Sequence, residues 1–480
     1  MKNKFLSFIK NHFSIILTIL ILTTISVINS SRHIGLIEDG VHHFWEAVTA
    51  GNIWIGHEGF YNFPYNSRFF PSILSHLATG LAVKAGILNI GVLLYLFTMI
   101  SYLSPLLFLV IIYLNLPENK KEYFDIILLS FLICVTFMIY QIWTENLITG
   151  LFLWIIFVIY YYSDFKKLSY INIFSLLIFP VAAVSSHPMV VVFIPLLFVL
   201  GVKKYINEKN LSLSAKIILI YSFILLIFAF TFNCYYILHP IFAATNEYLH
   251  GGVFYGIKIL RLCISVLLIL FISITRKNIK NVKIYNFLYI IACVNIFDDI
   301  LFNIQSSDGY TYRTLGFYSV LAFMIVLIVF KNIKNTVYIK IINIIMLALL
   351  LANSVQYTRI WDKYLSDVNG YFIANRQINV LYDSELNVYT SQPVFFQVYH
   401  YHLHPFVLLL LPETFGVYDG GNYKTIVISQ SQSLADFYIS KIIERKNTLN
   451  KFSINTDENF KLYLKKGTDL IDLQSYKKSG

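Results

Sequence analysis

With 480 residues, 57% of them hydrophobic, 17% aromatic and only 13% charged, the chain has the composition of an integral membrane protein and not of a soluble domain. Its net charge of +11 does not mark a nucleic-acid binder, because many Lys and Arg occupy short gaps between apolar runs, where they act as topology signals. All four cysteines, Cys134, Cys234, Cys263 and Cys293, fall within or beside apolar runs, which argues against a disulfide framework or a thiolate metal site and reads them as small core hydrophobes.

The first apolar run, residues 13–28, follows Lys2, Lys4 and Lys10. It is longer than a signal-peptide core and no Ala-x-Ala-like site follows, so it is expected to stay as a membrane anchor. Residues 34–50 form an amphipathic helical pattern. Ile37, Val41, Phe44, Trp45 and Val48 share one face, while Glu38, His42 and Glu46 recur at four-residue steps on the other, flanked by Asp39 and His43. Such a helix suits a membrane surface. An aromatic, glycine-containing loop follows over residues 51–70, then an apolar helix over residues 71–84 whose first residue, Pro71, suits a first helical turn and which is also expected on the outer leaflet.

About eleven candidate spans are readable, over residues 13–30, 90–114, 123–140, 147–163, 169–184, 189–202, 215–235, 257–275, 284–301, 314–330 and 337–354. The pair around Ser185-Ser186-His187-Pro188 is short and could form a re-entrant hairpin. Alternate gaps carry Lys120/Lys121, Lys166/Lys167, Lys203/Lys204/Lys209, Arg276/Lys277/Lys280/Lys283 and Lys331/Lys334, matching the basic N-terminus, so these are expected inside the cell. An odd number of crossings then leaves the C-terminus outside.

The expected fold is an α-helical polytopic membrane protein, N-terminus in and C-terminus out, with a long first external loop and a small external C-terminal α/β domain. Its parts are a first transmembrane helix (1–30), an external loop with amphipathic helices (31–90), a transmembrane bundle (91–355) and the C-terminal domain (356–480). In that last part, strand-like runs over residues 386–389, 425–428 and 460–464 flank a helical pattern over residues 433–444, where Leu434, Phe437, Tyr438 and Ile442 share a face.

This outline resembles the glycosyltransferase C superfamily, membrane enzymes that take a sugar from a polyprenyl phosphate and keep a catalytic acid in the first external loop. The residues that carry the match are Glu38 and Asp39, a few positions after the first span. Within the superfamily, chain length, an external C-terminus and two large external sections resemble the serotype-converting O-antigen glucosyltransferases of bacteria. The resemblance implies undecaprenyl phosphate glucose as donor, a sugar of lipid-linked O-antigen as acceptor and a bacterial inner-membrane location with the site facing the periplasm; no nucleotide is expected, because the chain lacks a soluble cytoplasmic nucleotide-sugar domain, and the placement of the cations leaves no nucleic acid as partner.

The chemistry accounts for such a pair. An acceptor hydroxyl is a weak nucleophile at neutral pH, so Asp39 or Glu38 within hydrogen-bond reach would take its proton as the glycosidic bond forms. A lipid phosphate is a good leaving group and calls for cations more than for a second acid, and single displacement inverts the anomeric centre. Candidate phosphate partners are Arg68, Arg313, Lys258 and Arg261, each of which also suits an interface anchor. His42, His43, Glu46, Glu145, His187, Asp298 and Asp299 are candidate substrate-binding residues on the same side; Glu145 and His187 would equally serve as helix caps. Spacing of Glu38, His42 and Glu46 would admit a divalent metal, which some members of the superfamily use, but no HExxH-like signature accompanies it and no resident metal or cofactor is expected. The rival readings are a flippase or transporter, and a polymerase, of lipid-linked saccharides. A transport path needs charged residues at span centres, and apart from Asp298 and Asp299 those centres are almost uncharged.

Overall fold

The structure, a computed structural model, describes residues 12–34, 44, 47–48, 69–136, 145–186, 190–208, 210–238, 320–321, 323–328, 337–374, 463–466 and 469–472. Within them lie nine principal helices: α1 (Phe13–Ser31), α2 (Phe69–Lys84), α3 (Ile90–Asn115), α4 (Phe124–Thr136), α5 (Glu145–Tyr162), α6 (Tyr170–Val184), α7 (Val190–Asn207), α8 (Leu213–Leu238) and α9 (Val337–Ala374). Short 3-10 turns, Glu118–Tyr123 and Phe165–Lys167, join α3 to α4 and α5 to α6. Among the described residues five stretches, in α1, α3, α7, α8 and α9, are long and apolar enough to cross a membrane. The expected spans over residues 257–275 and 284–301 lie outside the described residues.

The bundle is built around α5, in which no side chain from Leu151 to Tyr160 is more than 2% exposed. A helix apolar on every side has no face for water and is buried all round, here by α3, α4, α6 and α7. The outer helices differ. On α8, Leu213, Ile217, Ile220, Ile224 and Ile227 form an exposed stripe at three- and four-residue steps, and Tyr338, Ile341, Ile345 and Leu349 do the same on α9. Long exposed apolar stripes are what a lipid-facing surface requires, so the architecture is compatible with a multi-pass helical membrane protein.

Inside the bundle several polar groups are locally matched. Pro105 deprives the Ser101 carbonyl of its amide donor, and the Ser104 hydroxyl donates to that carbonyl at 2.9 Å. Asn115 donates to Ser175 at 3.0 Å and accepts from Asn172 at 2.7 Å, pinning the end of α3 to the start of α6. At Gly201 of α7 an added methyl would stand 2.7 Å from the Phe223 ring and 2.9 Å from the Tyr160 ring, so only glycine lets α7 approach α5 and α8 this closely.

Two expectations are refined, and the helices flanking Ser185–Pro188, α6 and α7, each pack mainly on α5 and α8. Helix α2 does not merely rest on a leaflet: it packs against α3 and α5, buries Ser75, His76 and Thr79, and the Phe70 amide donates to the Ser185 carbonyl at 3.0 Å. Helix α9 runs on past residue 354 to Ala374, so Gln356, the expected start of the C-terminal domain, lies inside a helix. Of that domain the structure describes an antiparallel hairpin, β1 (Tyr463–Lys466) with β2 (Asp469–Asp472), in the register Tyr463 opposite Asp472.

Candidate functional site

Helix directions sort the ends of the bundle into two sets. One end carries Lys120, Lys121, Lys166, Lys167 and Lys204 and is called here the basic end; the other carries the end of α1 and the start of α3.

Along its length α1 buries Ile15, Thr18, Leu22, Ile25 and Asn29, a seam of alternating three- and four-residue steps directed at α3 and α9. The Ser26 hydroxyl donates to the Met99 carbonyl of α3 at 2.9 Å, and Ser354 of α9 donates to Asn29 at 2.8 Å. Just beyond α1, Trp361 donates its indole N–H to the Arg32 carbonyl at 3.0 Å, and the Arg32 guanidinium lies 3.4 Å from the Asp362 carboxylate. The chain then turns through His33, whose φ of +56° is a left-handed conformation that L side chains adopt at a cost and that helix ends use to stop. Burial pushes the His33 imidazole below its usual range, and its Nδ1 is buried without a hydrogen-bond partner. Two strands of contact therefore fix where the chain leaves α1, five residues ahead of Glu38.

Beyond Ile34, three residues of the amphipathic stretch are described. Phe44, Ala47 and Val48 are helical and at most 1% exposed, and the Phe44 ring meets Phe97 of α3 edge-on at 5.4 Å. His76 of α2, 1% exposed, meets the same Phe97 ring at 6.0 Å. The apolar side expected from the sequence is thus seated in the protein core at Phe44 and Val48 and does not simply face lipid. Glu38, Asp39, His42, His43, Glu46, Arg68, His187, Lys258, Arg261, Asp298, Asp299 and Arg313 lie outside the described residues. Glu145 is the first residue of α5.

The basic end holds a constellation that the sequence did not single out. A cavity of about 340 Å³ opens between α1, α3, α4 and α9, lined by His12, Ser14, Tyr113, Glu118, Lys121, Glu122, Asp125 and Lys340. Lys340 lies 3.7 Å from Asp125, whose backbone carbonyl accepts from Asn343 at 2.8 Å. His12 Nδ1 and the Tyr113 hydroxyl share a hydrogen bond. Lys121 donates to the Tyr113 carbonyl at 2.5 Å, lies over the Tyr113 ring at 4.2 Å and pairs with Glu118 at 3.8 Å. Burial lowers the Lys121 ammonium from its usual value against the opposing pull of Glu118. Singly, these residues read as a helix-start acid, a topology lysine and an interface tyrosine; only the fold brings them together. Among the described residues no group of three or more His, Cys, Asp or Glu is arranged to hold a metal ion.

No protein-family model, curated protein or solved structure matches the chain.

Proposed function

We propose that the chain is an integral-membrane glycosyltransferase that takes a hexose, glucose by the resemblance above, from a polyprenyl phosphate on the external face of a bacterial inner membrane and passes it to a lipid-linked glycan such as O-antigen. Asp39, seconded by Glu38, is the base. The observation that carries this reading is the burial of Phe44, Ala47 and Val48 against α3. At about 100° per residue, the sequence spacing assigns Glu38, Asp39, His42 and Glu46 to the side opposite those three, away from the core and available to a substrate.

In the proposed reaction the acceptor hydroxyl attacks the anomeric carbon, its proton passes to the Asp39 carboxylate, and the bond from that carbon to the phosphate oxygen breaks with inversion. The electron pair of the broken bond stays on the departing phosphate, which leaves with one more negative charge than it carried in the donor, and Arg68, Arg313, Lys258 and Arg261 are the side chains proposed to receive it; a guanidinium fork can engage two phosphate oxygens at once. The anchoring of Arg32 by Trp361 and Asp362 supports the reading in a second way, because a base has to be held to sub-ångström tolerance and a loop tied down at its root is easier to hold.

Glycan analysis of cells carrying wild type, Asp39→Asn or Glu38→Gln, with protein levels matched by immunoblot, tests the proposal. Loss of the base lowers sugar addition by about 10²- to 10⁴-fold. Normal addition by both variants disproves the assignment.

A further inference from the structure

The lysines of the basic end fall into two groups. Lys121, Lys204 and Lys340 each pair with a carboxylate, at 3.8, 3.7 and 3.7 Å, and Lys120 lies over the Tyr123 ring at 5.5 Å. Lys166, Lys167 and Lys216 are exposed and have no ion pair among the described residues. The described acids nearest them in sequence are already engaged: Asp164 accepts from the Lys166 backbone amide at 3.0 Å, and Glu208 accepts from the Phe165 amide at 2.8 Å and pairs with Lys204. These three cations are left facing outward.

Helix register brings them to one level. Helices α6 and α8 run in the same direction and pack on each other, and near the far end of α6 the Asn233 side chain donates to the Val184 carbonyl at 3.2 Å. Counted back from that contact, Tyr170 at the start of α6 is about 21 Å away along its helix and Lys216 about 26 Å away along α8. Lys216 thus stands about one turn beyond Tyr170, level with the Phe165–Lys167 turn that leads into α6.

An apolar groove continues from that row of charge. Tyr170, Phe174 and Leu177 of α6 form an exposed stripe, and Ile217, Tyr221 and Ile224 of α8 form another. The Tyr221 hydroxyl reaches the Leu177 carbonyl at 3.5 Å, so the two stripes are walls of one groove. Tyr170, 91% exposed beside the lysines, is placed as interfacial tyrosines are. A lysine that only sets topology needs to be on the correct side of the membrane, whereas these three stand together at the head of an apolar groove. Their charge favours a phosphate without a cation of its own, and the groove favours apolar chains attached to it. We infer that the groove between α6 and α8 seats an anionic diacyl phospholipid such as phosphatidylglycerol, its phosphate among Lys166, Lys167 and Lys216 and its chains along Phe174, Tyr221 and Ile224. The inference rests on the chain crossing a membrane and not on the sugar transfer proposed above.

The test uses the full chain, delipidated in detergent and reconstituted into nanodiscs of phosphatidylglycerol and phosphatidylcholine in equal parts, with retained lipid read by native mass spectrometry. Wild type retains phosphatidylglycerol about tenfold over phosphatidylcholine, the worth of one to two lysines at a membrane surface. Lys167→Gln combined with Lys216→Gln brings the ratio close to one. Lys120→Gln removes a cation from another turn of the same end and leaves the ratio unchanged. Equal retention of the two lipids by wild type, or an undiminished ratio in the folded double variant, overturns the inference. So does a fall with Lys120→Gln as large as that of the double variant, since the preference would then belong to the charge of the whole end. Displacement of the lipid by inorganic phosphate overturns it too, by making a free anion the occupant. The wild-type ratio decides the matter even if the double variant fails to fold.

Discussion

At one end of its packed seam, α9 sets Lys340 against an Asp125 side chain that is 4% exposed; twenty-odd residues on, it sets Asp362 against Arg32, with both side chains 41% exposed or more. The two contacts pair the same kinds of charge in opposite surroundings. In the open pair, water and side-chain entropy offset most of the attraction, and about 0 to 1 kcal/mol remains. In the closed pair, the buried carboxylate depends on its neighbour, and removing that neighbour costs far more than the pair contributes over an apolar substitute. The end of α9 near Arg32 is therefore held mainly by Trp361 and Ser354, and the ion pair adds direction more than strength.

Lys340→Met is the costliest of these substitutions. It leaves the Asp125 carboxylate buried and unpaired, and about 3 kcal/mol of stability is lost, measured by denaturant unfolding in micelles. Lys340→Met combined with Asp125→Asn recovers most of that loss, which a simple sum of two damaged sites would not. Trp361→Phe removes one hydrogen bond to the Arg32 carbonyl and costs about 1 kcal/mol in the same measurement. His33 adds a weaker, pH-dependent effect. Its folded-state pKa lies below the ordinary value of about 6.5, so the unfolded chain takes up the proton first as pH falls; stability is intact above that value and declines below it, and His33→Gln flattens the decline in a thermal-melting series. The smallest effect belongs to Arg32→Ala and Asp362→Ala, whose double-mutant cycle gives a coupling of no more than about 0.5 kcal/mol, falling further as salt is raised.

Helix positions were legible where an apolar run is long enough to be unambiguous: α1, α3, α6 and α8 start and stop within about two or three residues of the runs read from sequence. The end of α9 was not, because hydropathy reports where lipid-like residues cease, and Gln356, Thr358, Arg359 and Asp362 are polar residues in a helix that continues beyond them. The partnership of α1 with α9 joins residues more than 300 positions apart, as in the Trp361 to Arg32 contact, and no local pattern carries that information. The cavity at the basic end was invisible for the same reason: His12, Tyr113, Asp125 and Lys340 each have an ordinary local explanation, and their meaning lies in being neighbours. Of the candidate site, the shared apolar face of Phe44 and Val48 was readable from helical spacing, whereas its seat against α3 in place of lipid and the positioning of its root by Trp361 were not.

The continuity of α9 has one more consequence. From Arg359, where its apolar window ends, to Ala374 the helix rises by about 22 Å, roughly two-thirds of the thickness of a bilayer's hydrocarbon interior. On the proposed reading, with α9 crossing the bilayer, Ala374 would stand at the tip of a stiff mast and not at the lipid surface. On the proposed reading, a segment carried at that height would grip sugar units well up a growing glycan, leaving the phosphate-bearing first unit to the residues at the mast's foot.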